Sequence, residues 1–142
     1  FVMGVEGHLE VEVISLSGAV SKTGMFDKTD PYIRITLHDG QYDLGGIHQG
    51  ETARTETKDN AGGSATFKES FKFRKPGNMD FLRVDLYDDN VTIDSLLGSL
   101  DLDLRQIHTE CAAKDKAICK SEVLESGGKD AGTVALKLLV TK

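Results

Sequence analysis

Two segments of this chain place carboxylates beside large apolar side chains. Residues 24–32 read GMFDKTDPY, and residues 88–98 hold three Asp and one Asn but no Lys or Arg. Crowded like charges are unfavourable unless a cation neutralises them. Ca²⁺ suits such a site, because it takes roughly six to eight oxygens from Asp, Asn and backbone carbonyls. The alternative is that these Asp residues only form and solubilise turns, but two such loops in one chain favour a cation site.

Four apolar residues fall at the tips of these two acidic segments: Met25, Phe26, Val91 and Ile93. One interpretation is that the two loops pack on each other; the other is that the tips enter a membrane. Burying one such side chain is worth about 1.5–3 kcal/mol, so a few of them anchor a domain reversibly. Acidic tips are repelled by anionic lipid until a cation neutralises them, which predicts a membrane contact switched by Ca²⁺.

The rest of the sequence indicates the elements that position these loops. Apolar and polar residues alternate with a period of two, which is typical of strands with one buried face. Turn residues separate the alternating segments, and this predicts an all-β fold, an eight-stranded antiparallel β-sandwich. The strands are expected at 9–13, 33–37, 67–73, 82–86, 100–104 and 134–140, with weaker signals at 51–58 and 119–125. A short helix is expected at about 104–113, and residues 40–50 read as a long polar, mobile connection.

Length and charge limit the possible functions. The chain has 142 residues with 17 Lys and Arg against 23 Asp and Glu, a net charge of −6 that argues against nucleic-acid binding. We expect one domain over residues 1–142 with its core at 8–141, and the start at Phe1 suggests a domain excised from a longer protein. The two cysteines without a secretory signal favour a cytoplasmic location. The sequence contains no GxSxG, HExxH, CxxC or P-loop motif, so we do not expect an enzyme.

Several motifs resemble those of the C2 domain family. They are the alternating start at residues 9–14, the segment TDPYI at 29–33, the strand FKESFKF at 67–73, and LYDDN at 86–90 running to Leu97-Gly98. The resemblance covers residues 8–141. Because a strand closes the chain and none precedes the first, it resembles the type II permutation of the fold. Both acidic loops are most similar to the calcium-binding loops of the calcium-dependent cytosolic phospholipases, in their membrane-binding module alone.

The resemblance implies a set of calcium ligands. Asp30, Asp88 and Asn90 fall on ligand positions of the family, Asp27 and Asp94 match acidic positions beside them, and Asn60 matches a ligand in a third loop. The sequence departs from the family at Gly24 and Ser95, where many relatives have Asp. One Ca²⁺ position is therefore expected, and the second is weakened.

A second contact is implied by the same resemblance. In C2 domains an outward basic strand face can hold anionic lipid heads or a protein. The corresponding residues here are Arg54, Lys58, Lys68, Lys72 and Arg74. A merely solvated face is the alternative, and Glu56 dilutes the charge.

Two functions remain open at the level of sequence. The first is a Ca²⁺-dependent module for phospholipid membranes, peripheral and cytoplasmic, with a partly degraded calcium site. The second is a calcium-independent C2 domain that serves as a protein-interaction or structural module.

Overall fold

The computed structural model describes residues 4–19 and 29–142, and within them the chain is built mainly from antiparallel strands. The elements are β1 (Gly7–Ser17), β2 (Pro31–His38), β3 (Gln49–Arg54), β4 (Ala65–Lys75), β5 (Phe81–Asp88), β6 (Ser95–Asp103), α1 (Leu104–Lys114), β7 (Ile118–Ser126) and β8 (Lys129–Thr141). The hydrogen-bonded order is β3-β2-β5-β6-β7-β8-β1-β4. β6 and β7 pair only between Ser99 and Glu125, so the strands form two layers joined at one edge. This confirms the predicted all-β sandwich, and the strand order is compatible with the type II permutation.

The core lies between the two layers and follows the period-two pattern. Leu9, Val11 and Val13 of β1 are buried, and so are Leu82 and Leu86 of β5. Each fully buried aliphatic side chain contributes about 1.5–3 kcal/mol of apolar transfer free energy. The alternation in the sequence therefore reports the inner face of each layer correctly.

The pairing of β2 with β5 fixes which loops meet. Pro31 lies opposite Asp88, and His38 lies opposite Phe81, with every residue between them paired. The segments before β2 and after β5 therefore share one end of the sandwich, which we call the acidic-loop end (residues 29–30, 55–64 and 89–94). The loop after β2, residues 39–48, lies at the opposite end, which we call the far end.

Two expectations need correction. The strand predicted over 51–58 ends at Arg54, because the buried Thr55 hydroxyl accepts the Ile33 N–H at 3.0 Å in place of a backbone carbonyl. The 40–50 connection is not an irregular stretch. It contains two short 3₁₀ turns, Tyr42–Leu44 and Gly46–His48, and then begins β3.

The helical signal is confirmed, since α1 spans Leu104–Lys114. It begins after Asp103, whose carboxylate accepts the Arg105 N–H at 3.0 Å and so satisfies one of the unpaired amides of the first turn. Neither α1 nor any other helix of the described residues is long and apolar enough to span a bilayer.

Candidate functional site

Two of the predicted ligand positions are in contact at the acidic-loop end. The Asp30 N–H donates to Asp88 Oδ1 at 2.9 Å, and the Asp89 N–H donates back to the Asp30 carbonyl at 2.9 Å. These bonds continue the β2–β5 ladder beyond Pro31, which has no N–H to contribute. Asp88 is only 4% exposed, so its carboxylate is held at the base of the loops rather than out in solvent.

The loop between β3 and β4 closes over the same point. The Asn60 N–H donates to Asp30 Oδ1, the Lys58 N–H donates to the Pro31 carbonyl at 3.0 Å, and the Gly62 N–H donates to the Thr29 carbonyl at 2.9 Å. Asn60 reaches Asp30 in a left-handed conformation, with φ at 55°, which Asn tolerates better than most residues. Residues from three separate segments are thus tied to the chain around Asp30, and the Asn60 N–H is the group that bonds its carboxylate.

Asn90 and Asp94 are held by each other. The Asn90 N–H donates to Asp94 Oδ1 at 3.0 Å, and its side-chain amide donates to the Ile93 carbonyl and to Ser95 Oγ, both at 2.9 Å. The Ser95 hydroxyl thus helps to orient the Asn90 amide. The bonds to Ile93 and Ser95 use both hydrogens of the side-chain amide.

Tyr32 links Asp94 to the sheet. Its hydroxyl donates to Asp94 Oδ2 at 2.6 Å. That hydrogen bond, followed by the one from the Asn90 N–H, lowers the pKa of Asp94. Burial, together with the bond to Asp94, raises the pKa of Tyr32 to about 12. At neutral pH Asp94 is therefore an anion and Tyr32 a neutral donor, so the 89–94 loop keeps its negative charge.

Sequence reasoning missed the role of Arg54 at this end. Its guanidinium lies 3.4 Å from the centre of the Tyr32 ring, and Nη2 lies 4.0 Å from Asp89 Oδ2. Thr57 Oγ1 also donates to Asp89 Oδ2 at 2.6 Å. Asp89 therefore has side-chain partners, Thr57 and Arg54, whereas the carboxylates of Asp30 and Asp88 each accept a backbone N–H. No signal in the sequence distinguishes Arg54 from the other basic residues, since the contact depends on how β3 lies against Tyr32.

The oxygen donors at this end are of the chemical type that a hard cation binds. Asp30, Asp88 and Asp94 supply carboxylates, and Asn60 and Asn90 supply amide oxygens, with no nitrogen or sulfur ligand among them. Across residues 4–19 and 29–142, however, no group of three His, Cys, Asp or Glu side chains is gathered as a ready-made metal cage. Asp27 lies outside the described residues.

The structure describes two of the four apolar residues predicted to enter a membrane. Val91 and Ile93 are 105% and 81% exposed, so neither side chain packs against the described part of the chain. Met25 and Phe26 lie outside the described residues.

The predicted basic face is separated into two parts by the fold. β3 and β4 lie at opposite ends of the strand order, because the 55–64 loop crosses from one layer to the other. Arg54 faces outward from the first layer, against Tyr32, and Lys58 lies beyond the end of β3. Lys68, Lys72 and Arg74 are exposed on β4 in the second layer, where Lys72 pairs with Glu10 and Arg74 with Glu6, both at 3.3 Å.

Comparison with known proteins gives a family match. The family model described as C2 domain matches residues 7–119. No curated protein sequence matches the chain closely enough to add a relative.

The fold is shared with solved structures at low sequence identity. The chain is similar to a C2 domain of plant Extended Synaptotagmin 1, with a TM-score of 0.72, 20% identity, and coverage of 93% of this chain and 92% of that one. It is also similar to human GIVD cytosolic phospholipase A2, with a TM-score of 0.69 and 16% identity, over 97% of this chain but only 17% of that one. A C2 domain-containing protein from a putative elicitor-responsive gene gives a TM-score of 0.68 at 17% identity, over 97% of this chain and 90% of that one. At these identities the comparisons support the fold alone.

Proposed function

The chain belongs to the C2 domain family, and from that premise we propose that it is a Ca²⁺-dependent phospholipid-binding module with a reduced calcium site. The observation that carries the proposal is the placement of Asp30, Asp88 and Asn60 beside the exposed Val91 and Ile93 at one end of the sandwich. Oxygen donors and apolar tips at the same end are what a cation-switched membrane contact needs. The proposed function is binding and not catalysis.

The residues of the acidic-loop end would hold the ion in a defined way. Asp30 and Asp88 would supply the central carboxylates, since they come from adjacent strands and are already in contact. Asn90, Asp94 and Asn60 would supply oxygens around them, and Asp27 adds a further carboxylate from the preceding loop. With Gly24 and Ser95 in place of acids, this set favours one Ca²⁺, because affinity follows the number of ligand charges.

Membrane attachment then follows from charge and apolar area. Bound Ca²⁺ would supply the positive charge that offsets these carboxylates. The repulsion of the acidic loops from an anionic bilayer is then removed, and Val91 and Ile93 can enter the interface. Partial burial of two or more such side chains gives reversible binding, as is typical of peripheral proteins.

A second candidate function rests on a separate observation. The acidic residues of this end already accept protein hydrogen bonds, and Arg54 lies beside Asp89. Loops assembled in this way do not require a cation to hold their shape. This favours a calcium-independent C2 domain that binds a protein as the alternative.

Calcium titration separates the two functions. We expect Ca²⁺ at millimolar concentration, but not Mg²⁺, to raise the melting temperature, and calorimetry to report about one site. We also expect the protein to sediment with vesicles of phosphatidylcholine and phosphatidylserine in Ca²⁺ and to stay in the supernatant in EGTA. A melting temperature and a sedimentation that are both indifferent to Ca²⁺ would contradict the first function and favour the second.

A further inference from the structure

The loop at the far end, residues 39–48, is held in a defined conformation by hydrogen bonds. Its base is closed by the Asp39 N–H donating to the His48 carbonyl at 3.1 Å and by a contact of 2.8 Å between Asp39 Oδ2 and His48 Nδ1. The Gln49 side-chain amide donates to the Tyr42 carbonyl at 3.0 Å. Gly45 and Gly46 join the two 3₁₀ turns with φ at 60° and 56°, a left-handed region that favours glycine. The loop is therefore shaped by its own hydrogen bonds.

This loop presents two large aliphatic side chains to solvent. Leu44 is 70% exposed and Ile47 is 86% exposed. Tyr42, between them and the sheet, turns inward instead: its ring meets His38 edge-on at 5.4 Å and lies 4.4 Å from the Arg83 guanidinium. Core packing thus accounts for Tyr42 but gives no reason for Leu44 and Ile47.

A cavity of about 380 Å³ opens beside Leu44. It is lined by Tyr42, Leu44 and Asp43, and also by Arg83 and Asp101, which pair with each other at 2.9 Å. Asp43 has no ion pair among the described residues, so the cavity offers an apolar side and an acidic group that fit the methylene stem and charged head of a Lys or Arg side chain.

The charge around Leu44 and Ile47 is acidic. Residues 39–53 contain Asp39, Asp43 and Glu51 and no Lys or Arg. Asp39 contacts His48, whereas Asp43 and Glu51 are exposed and have no ion pair within residues 4–19 and 29–142.

The cations beneath the loop lie beside carboxylates of the sheet and leave Asp43 and Glu51 unpaired among the described residues. Arg83 pairs with Asp101 at 2.9 Å, and Arg34 lies 3.7 Å from Asp85. An anionic bilayer would therefore be repelled from the far end, where no ring of cation ligands is found among the described residues to reverse the sign, while a cationic partner would be attracted.

Leu44 and Ile47 are also far from the proposed membrane contact. β2 runs without interruption from Pro31 at the acidic-loop end to His38 at the far end, which is about 23 Å of extended chain. A partner seated at the far end would not compete with a membrane at the other.

We propose that the far-end loop is a docking surface for a basic segment of another protein, one that carries apolar residues next to Lys or Arg. Leu44 and Ile47 supply the apolar anchors, and Asp43 and Glu51 supply the charge that selects the partner. Aliphatic anchors surrounded by charge of one sign are suited to a specific and salt-dependent contact.

The test uses a photoreactive benzophenone side chain at Gln41, an exposed position in the same loop that leaves Leu44 and Ile47 in place. The full protein is irradiated in its own cells, and the cross-linked segments are sequenced by mass spectrometry. A synthetic peptide of each captured sequence is then titrated against the wild type and against a Leu44→Ser/Ile47→Ser double variant. An Asp43→Asn/Glu51→Gln double variant tests the charge.

The proposal predicts a captured segment with net positive charge and apolar residues. Its peptide should bind the wild type, bind both double variants at least tenfold more weakly, and weaken as salt is raised. Adducts to phospholipid, to a second copy of this chain or to an acidic segment would overturn the proposal, as would capture of nothing or equal binding to wild type and variants. An unchanged melting temperature and calcium response in the variants would show that the fold and the acidic-loop end are intact.

Discussion

The acidic-loop end and the far end of this sandwich have similar compositions and different arrangements. Each carries two exposed aliphatic residues, Val91 and Ile93 at one end and Leu44 and Ile47 at the other, close to Asp residues. At the acidic-loop end, residues from separate loops meet around Asp30. At the far end, Asp39 contacts His48, and Asp43 has no ion pair among the described residues.

This difference shows that an acidic and apolar loop is not by itself a cation site. Convergence depends on β2 and β5, which begin and end opposite each other and so deliver Asp30 and Asp88 to one point. The far-end loop follows β2 alone, and its hydrogen bonds are mostly with itself. A cation is therefore proposed at one end and a cationic protein segment at the other.

The largest expected effect tests the convergence directly. Asp88→Asn removes one ligand charge but keeps an oxygen to accept the Asp30 N–H, so the loop retains its shape. We expect calcium affinity, measured by calorimetry, to fall by roughly tenfold or more. Asp43→Asn is the matched control at the far end, with the same change of charge and no expected change in affinity. Equal losses in the two variants would contradict the assignment of the site.

The next effect concerns the apolar tips. Val91→Ala/Ile93→Ala should weaken sedimentation with anionic vesicles in Ca²⁺ by roughly tenfold or more, because each full side chain is worth about 1.5–3 kcal/mol when buried. Lipid-free calcium binding should not change. Leu44→Ala/Ile47→Ala is the control. If this control reduces vesicle binding as much as Val91→Ala/Ile93→Ala does, the membrane contact is not specific to Val91 and Ile93.

A smaller effect depends on pH. The hydrogen bond from Tyr32 lowers the pKa of Asp94. A lowered carboxyl pKa adds stability above the ordinary Asp value, about pH 4, and that contribution is lost as the pH falls through the lowered pKa.

Tyr32→Phe should therefore reduce the free energy of unfolding at neutral pH by about 1 kcal/mol. Urea denaturation should show this difference shrinking as the solution is acidified below about pH 4. Tyr87→Phe removes a hydroxyl that accepts from Arg34, and its effect should not change over that acid range. A Tyr32→Phe effect that is independent of pH would rule out the link to Asp94.

The smallest effect is expected at the far end. Ile47→Ser should change the free energy of unfolding by no more than about 0.5 kcal/mol, because the side chain is exposed and loses little packing. Leu37→Ala, at a fully buried position in β2, should cost about 2–5 kcal/mol by the same denaturation assay. A large loss for Ile47→Ser would mean that this side chain is part of the core, and the docking proposal would fail with it.

Much of the fold followed from the period-two pattern. The alternation at 9–13 and 82–86 predicted strands that the structure contains, and the helix expected at 104–113 extends by one residue. The strand expected at 51–58 was wrong beyond Arg54, because a side-chain hydroxyl of Thr55 can replace a backbone acceptor without any change in the hydropathy pattern.

The candidate site was only partly accessible to the same reasoning. The resemblance to C2 domains implied that Asp30, Asp88, Asn60, Asn90 and Asp94 form one ligand set. The contacts of the structure fall into two groups, Asp30 with Asp88 and Asn60, and Asn90 with Asp94. The positions of Arg54 and of the basic residues of β4 were not predictable, because a loop that crosses between layers moves neighbours in sequence to different faces.

The sequence by itself determined the apolar core of the strands, that the chain forms an antiparallel sandwich, and which two segments join carboxylates to apolar side chains. Those properties are local, because each depends on side-chain type and on a period of two. Only the tertiary structure decided which acidic residues are in contact, since Asp30 and Asp88 are 58 residues apart and meet through the pairing of β2 with β5. The same pairing places Val91 and Ile93 a strand length away from Leu44 and Ile47, and so gives two exposed aliphatic pairs different surroundings.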